Sequence, residues 1–252
     1  MEDNINNTII SKSTVIVSNT AVRRLLKDIK EIIKSPLTSN GIHYVHNDSD
    51  MLNGQAMIIG PSGTPYERGY YFFDFVFPPD YPHTPPKVKY RTNDGSTRFN
   101  PNLYKCGKVC VSILNTWHGE QWTGCQTISS VLLTLCTLLN DNPLFNEPGI
   151  SKGHHDCNNY NEIIKYKNFE VAIIGMLDSD YIKTKFEKLY TVMCNDFLNN
   201  YNRIIKLLNE RKTENKTVTT QVYSMNVSIN YSKLEKDIKR IYSYLHKIEI
   251  NK

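Results

Sequence analysis

The stretch Arg98-Phe99-Asn100-Pro101-Asn102-Leu103-Tyr104-Lys105-Cys106-Gly107-Lys108-Val109-Cys110-Val111-Ser112-Ile113-Leu114 follows neither helical nor strand periodicity. Asparagine, proline and glycine punctuate it, and Cys106 and Cys110 stand four residues apart within it. A thiolate is intrinsically nucleophilic, so both cysteines are candidates for a reaction centre, against the default of a small buried hydrophobe. A zinc site drawn from Cys106, Cys110 and His118 stays incomplete because no second Cys/His pair completes a four-ligand set, and no metal is expected.

Upstream, residues 42–46, 54–60, 70–77 and 86–90 are rich in Ile, Val, Phe and Tyr and separated by turn residues, which predicts an antiparallel meander of four strands. Phe77-Pro78-Pro79-Asp80-Tyr81-Pro82-His83-Thr84-Pro85-Pro86 cannot be central strand, because its prolines lack donors and hold their predecessors extended. It reads as a rigid surface loop. Earlier still, Val22, Leu25, Leu26, Ile29, Ile32 and Ile33 recur three and four apart between Ala21 and Lys34, with N-cap candidates at Ser18, Asn19 and Thr20 and Pro36 beyond the end. That is an amphipathic helix, with Arg23, Arg24, Lys27 and Lys30 outside its apolar stripe. Residues 1–20, polar and without sustained period, are expected to form a mobile arm.

Downstream, Ile128, Val131, Leu132, Leu135, Leu138 and Leu139 predict a buried helix behind a cap at Gln126-Thr127, with Cys136 as a core residue. Helices are expected at roughly 159–176 and 179–207, a linker over the Lys/Asn/Thr-rich residues 211–220, and a last helix from Tyr231 to Ile250. In that last helix Leu234, Ile238, Ile241, Leu245 and Ile248 are spaced 4, 3, 4 and 3, too short a seam to define a coiled coil. Docking on the protein's own core and docking on a partner helix are both open.

Composition excludes several classes. The 252 residues are 40% hydrophobic and 22% charged with 16 tyrosines, which fits a folded soluble protein. A formal net charge of +5 is small for a nucleic-acid binder and favours acidic protein partners. No run of about 18 apolar residues exists, and acidic residues stand at the N-terminus where a secretory signal carries positive ones. Neither membrane insertion nor secretion is expected, and the cytoplasm or nucleus is the expected location. Six scattered cysteines then read as reduced thiols.

The quoted stretch resembles the active site of ubiquitin-conjugating enzymes, in which a His-Pro-Asn triplet lies eight residues before the catalytic cysteine, with a glycine between and Cys-x-x-Ile-Leu after. Asn102 and Cys110 keep that spacing, Gly107, Ile113 and Leu114 match, and Asn100 replaces the histidine. Tyr81-Pro82-x-x-Pro85-Pro86 lies upstream in the family's order, and Gln121-Trp122 followed by Thr127-Ile128-Ser129 lies downstream. The run Leu114-Asn115-Thr116-Trp117-His118-Gly119, with Phe145-Asn146-Glu147-Pro148-Gly149, is similar to the larger, atypical members. The likeness covers about residues 20–205, more loosely past 150.

This resemblance implies an α+β fold, with a conjugating core at 21–150, a helical extension at 151–207, and a linker with a C-terminal helix at 208–252. It implies that Cys110, rather than Cys106, carries ubiquitin or a ubiquitin-like modifier as a thioester and passes it to lysines of protein substrates. ATP would be consumed by the activating enzyme, so no cofactor is implied. Asn102 is either an oxyanion donor or a brace for its loop. The acid that orients or deprotonates the incoming amine is Glu147 or Asp141, with Glu147 favoured. Ser112 occupies the family's second polar position, and His118 belongs to an insertion near the thioester.

For partners, the resemblance assigns the activating enzyme to Arg23, Arg24, Lys27 and Lys30 on the first helix. A ligase surface would fall on His83 and on the Thr123-Gly124-Cys125 turn, where the family's apolar residue and Ser-Pro-Ala-like turn are replaced. Two rival readings remain: an inactive binder of ubiquitin, against which Cys110 and Asn102 argue, and an unrelated cysteine hydrolase, which would need a positioned histidine base.

Overall fold

The computed structural model describes residues 17–250, so residues 1–16 of the expected N-terminal arm lie outside the described residues. Residues 17–20, given to that arm, instead belong to the fold. The first helix, α1, runs Asn19–Lys34, and the Ser18 hydroxyl caps it by accepting from the Ala21 N–H at 3.0 Å. The Ser18 N–H donates to the Pro79 carbonyl at 3.2 Å, which ties the helix entry to the proline-rich loop. Ala21, Leu25 and Ile32 face inward together with Asp28, whose carboxylate accepts from Tyr81 Oη at 2.5 Å and Arg24 Nε at 2.8 Å.

Four strands follow, β1 Ile42–His46, β2 Asn53–Ile59, β3 Tyr70–Val76 and β4 Lys87–Tyr90, antiparallel in the order β1-β2-β3-β4. They agree with the expected spans to within a residue at each end. Both faces of β3 are covered over Tyr70–Phe73, which explains its run of four aromatic residues. On one face Tyr71 meets Tyr66 and Phe99 edge-on, at centroid distances of 5.6 and 6.1 Å. On the other, Phe72 packs on Phe186 at 5.1 Å and Tyr70 Oη donates to Asp196 at 2.9 Å.

The central helix α2, Ile128–Thr137, begins with a reciprocal cap. Thr127 Oγ1 accepts from the Ser130 N–H at 3.2 Å, and Ser130 Oγ accepts from the Thr127 N–H at 2.8 Å. Ile128, Val131, Leu132 and Leu135 fill the core beneath it.

The expected helix at 159–176 is α3, Asp156–Lys167, continued by a π-helical segment, Asn168–Gly175. In that segment Asn168 accepts from Tyr71 Oη at 2.6 Å and donates to the Glu67 carbonyl at 2.8 Å. The helix expected at 179–207 breaks at Phe186 into α4, Asp180–Lys185, and α5, Glu187–Asn209. The stretch expected as a linker, 211–220, instead contains β5, Asn215–Thr219, paired with β6, Asn226–Asn230. Its Lys, Asn and Thr side chains point outward while Val218 and Ile229 are buried.

The last helix, α6, Tyr231–Ile250, docks on the protein's own core. Leu234, Ile238, Ile241 and Leu245 are buried against it, and Tyr242 stacks on Tyr201 of α5 at 3.8 Å. Ile248, the last seam position, is 40% exposed. Among the described residues, no helix is long and apolar enough to cross a membrane.

Candidate active site

The loop from Phe99 to Leu114 is organised by two asparagines. Asn100, where the family has histidine, is fully buried. Its Nδ2 donates to the Leu138 carbonyl at 2.7 Å and to Tyr66 Oη at 3.2 Å, and its Oδ1 accepts from the Asn102 N–H at 2.9 Å. Asn146 Nδ2 reaches the same oxygen at 3.4 Å. One neutral amide therefore joins the end of α2, the 143–147 turn and the start of the active-site loop, and it does so without a titratable ring.

Asn102 holds the Cys110 backbone from both sides. Its carbonyl accepts from the Cys110 N–H at 2.9 Å, and its Nδ2 donates to the Cys110 carbonyl at 2.6 Å. A primary amide carries two N–H donors, so the brace engages one of them. Asn102 Oδ1 is buried and accepts no hydrogen bond among the described residues. Cys110 is 2% exposed, whereas Cys106 is on the surface.

Two further features shape this segment. Gly107 turns the chain at φ +89°, and a β-carbon there would stand 2.7 Å from the Tyr90 carbonyl oxygen. Thr116 Oγ1 donates toward the Val109 and Val111 carbonyls at 2.9 and 3.1 Å and accepts from the Val111 N–H at 3.0 Å. This hydroxyl clamps the residues on both sides of Cys110. The sequence carried Thr116 only as part of the similarity to atypical members.

Ser112 opens the 3-10 turn Ser112–Leu114 and faces Gly119, where a β-carbon would lie 3.2 Å from the Ser112 Cβ. His118 is exposed and packs against Trp117 with centroids 4.6 Å apart. The two acids separate. Glu147 accepts a hydrogen bond from Tyr223 Oη, while Asp141 is exposed and lines a groove with Asn40, Pro61, Leu133 and Cys136.

Arg98 completes the loop's support. It donates to the Asn100 carbonyl at 3.2 Å and the Pro101 carbonyl at 2.6 Å, and its guanidinium lies 3.4 Å from the Tyr104 ring centroid and 4.9 Å from that of Tyr223. Neither Arg98 nor Tyr223 was picked out from sequence as a site residue, since their contacts join segments 125 positions apart. The one group of His, Cys, Asp or Glu that could gather a metal ion among the described residues is His154, His155 and Asp156. Asp156 is already engaged there by the Val222 N–H at 2.7 Å.

On α1, Arg23, Lys27 and Lys30 are exposed around Leu26 and Lys34, a mostly basic face that also holds Glu31, paired with Lys27 at 3.9 Å. Arg24, expected among them, has a different job. Besides Asp28, it donates to the Gly124 and Gln126 carbonyls and lies 5.7 Å from the Tyr81 ring centroid, so it fastens α1 to the turn before α2. The expected ligase positions His83, Gly124 and Cys125 are exposed. Their two loops are joined by Trp122 Nε1 donating to the Pro82 carbonyl at 2.7 Å.

A helix, a four-stranded antiparallel meander and a thiol held in an asparagine-braced loop before a buried helix define a conjugating-enzyme core. The family model "Ubiquitin-conjugating enzyme" matches residues 24–167, from α1 to the end of α3, and the chain belongs to that family. It is 42% identical to Ubiquitin-conjugating enzyme E2 Z of Xenopus tropicalis over 194 residues, 71% of this chain and 61% of that protein. It is 46% identical to the E2 Z of Homo sapiens over 158 residues, 62% of this chain and 44% of that protein. It is also 46% identical to Dual E2 ubiquitin-conjugating enzyme/E3 ubiquitin-protein ligase BIRC6 of Homo sapiens over 139 residues, 52% of this chain and 3% of that protein. The chain thus spans less than two thirds of the length of each of these curated relatives.

Proposed function

We propose that this chain accepts ubiquitin or a ubiquitin-like modifier from an activating enzyme as a thioester on Cys110 and transfers it to lysine amines of target proteins, with a ligase as a further partner. The observation that carries the reading is the Asn102 brace: side chain and backbone of one residue fix both backbone groups of Cys110. In the first step the Cys110 thiolate attacks the modifier's thioester carbonyl on the activating enzyme, whose own cysteine leaves as thiolate. In the second, a lysine nitrogen attacks the new thioester, the C–S bond breaks, Cys110 departs as thiolate and the amine's excess protons pass to a base or water. The second N–H of Asn102 is available to the oxyanion, and Glu147 serves the amine. ATP belongs to the activating enzyme.

Incubation with activating enzyme, ATP and modifier should give an adduct lost on thiol treatment. Cys110→Ser should give a hydroxide-labile oxyester or none, and Cys106→Ser should charge normally. A dead Cys106→Ser beside an active Cys110→Ser would move the nucleophile, and no adduct from any activating enzyme would end the reading.

A further inference from the structure

We infer that Tyr223, at the tip of the β5–β6 hairpin, is a positioning residue for amine attack that fixes the Glu147 carboxylate beside the Asn100–Asn102 loop. The inference rests on the thioester-transfer reading above and adds to it a part of the chain, beyond residue 167, that the family match does not cover.

Tyr223 and Ser224 are consecutive non-glycine residues with left-handed backbones, φ +64° and +49°. Two such residues in a row persist only when their surroundings hold them. The tip is held by the Val222 N–H on Asp156 Oδ2 at 2.7 Å, the Thr220 N–H on the Met225 carbonyl at 3.0 Å, and Asn159 Nδ2 on the Thr219 carbonyl at 2.9 Å. The result of that strained turn is the direction of one side chain. Tyr223 sends its ring under Arg98 and its hydroxyl to Glu147 Oε2.

Both contacts lead to the reaction centre. Arg98 grips the Asn100 and Pro101 carbonyls, and Asn102 grips Cys110. Asn146 is tied to Asn100 Oδ1, so the backbone beside Glu147 is tied to the loop directly, and its carboxylate is linked to it indirectly through Tyr223 and Arg98. Burial, and then the neighbouring Glu147 carboxylate, push the Tyr223 phenol above its ordinary range, so it stays protonated and acts as a donor. With Oε2 occupied by Tyr223, the carboxylate has a fixed orientation and Oε1 left to accept from a lysine amine. In the transfer step that oxygen takes an N–H of the attacking amine, and the proton, as the C–S bond breaks.

The test uses the full chain, already charged with modifier and separated from activating enzyme, so that only charged, folded molecules are counted. Tyr223→Phe keeps the ring on Arg98 and deletes the hydroxyl. Its thioester should discharge to free lysine about tenfold more slowly at saturating lysine. Glu147→Gln should show a loss of similar size, and Tyr223→Phe/Glu147→Gln should be no slower than the slower single variant, because both act through one carboxylate. Wild-type discharge by Tyr223→Phe, or losses that multiply in the double variant, would overturn the proposal while leaving the thioester reading intact. A wild-type chain that never charges would overturn both.

Discussion

Of the two duties that sequence alone left as alternatives for Asn102, the brace is the one seen in the structure, and the oxyanion donor is part of the proposed function. Asn102 Nδ2 braces the Cys110 carbonyl at 2.6 Å, and the same nitrogen carries a second N–H that the proposed oxyanion role would use. A brace and an oxyanion donor fail differently. Loss of the donor should slow discharge of a preformed thioester about a hundredfold, whereas loss of a brace alone should slow charging and discharge alike. Asn102→Ala should therefore lower discharge to free lysine far more than charging, and the deficit should persist from pH 7 to pH 10. A Glu147 defect should instead narrow as pH nears about 10.4, where lysine loses its proton without help. Equal losses in charging and discharge would leave Asn102 as a brace only. The spacing between Asn102 and Cys110 was legible in the sequence. The work of Asn100 was not, because its partners Leu138, Tyr66 and Asn146 arrive from three separate segments.

At the scale of elements, α1 shows why a charge pattern needs a structure. Arg23, Arg24, Lys27 and Lys30 look alike on a helical wheel, yet Arg24 alone meets carbonyls 100 and 102 residues away and the buried Asp28. The four strands were legible because apolar residues alternate or run on between Gly, Asn and Pro. The β5–β6 hairpin was not, because its inward positions in β5 reduce to Val218 and the rest of that strand faces water. Arg23, Lys27 and Lys30 remain on an exposed, mostly basic face, and under the proposed function their charge would act on encounter with the activating enzyme. Arg23→Glu/Lys27→Glu/Lys30→Glu should slow charging by about tenfold at low salt. Added salt should slow the wild type toward the variant, since screening shortens the reach of surface charge to about 8 Å at 0.15 M. Indifference to both would overturn the assignment of α1 to activating-enzyme docking. Arg24→Glu should behave differently and lower the thermal midpoint, because a removed partner leaves Asp28 as a buried, uncompensated charge.

Over the whole molecule, the C-terminal region is built into the core rather than appended to it. The α4–α5 segment covers the second face of β3 through Phe186 and Asp196, α6 closes over α5, and the hairpin between them meets Glu147 and Arg98, which flanks the active-site loop. The 4-3-4-3 seam of α6 was visible in sequence, but a seam records only that one face is apolar, not which surface covers it. The burial of Ile238 makes the answer measurable. It is fully buried, so Ile238→Ala removes apolar contacts and leaves a cavity, at a cost of about 2–5 kcal/mol. For a chain of this size that lowers the thermal midpoint by several degrees per kcal/mol, about 5–15 °C in all. Because α6 continues directly from the hairpin whose Tyr223 holds Glu147, the same variant should, on the proposed role of Glu147, also slow discharge of the thioester before it slows charging. A free partner-binding helix predicts the opposite: Ile238→Ala would leave both the midpoint and discharge unchanged, and only association with a second protein would suffer. Calorimetry and single-turnover discharge on the same preparation decide between them. A single cooperative transition that shifts as a whole would place α6 in one folding unit with Cys110.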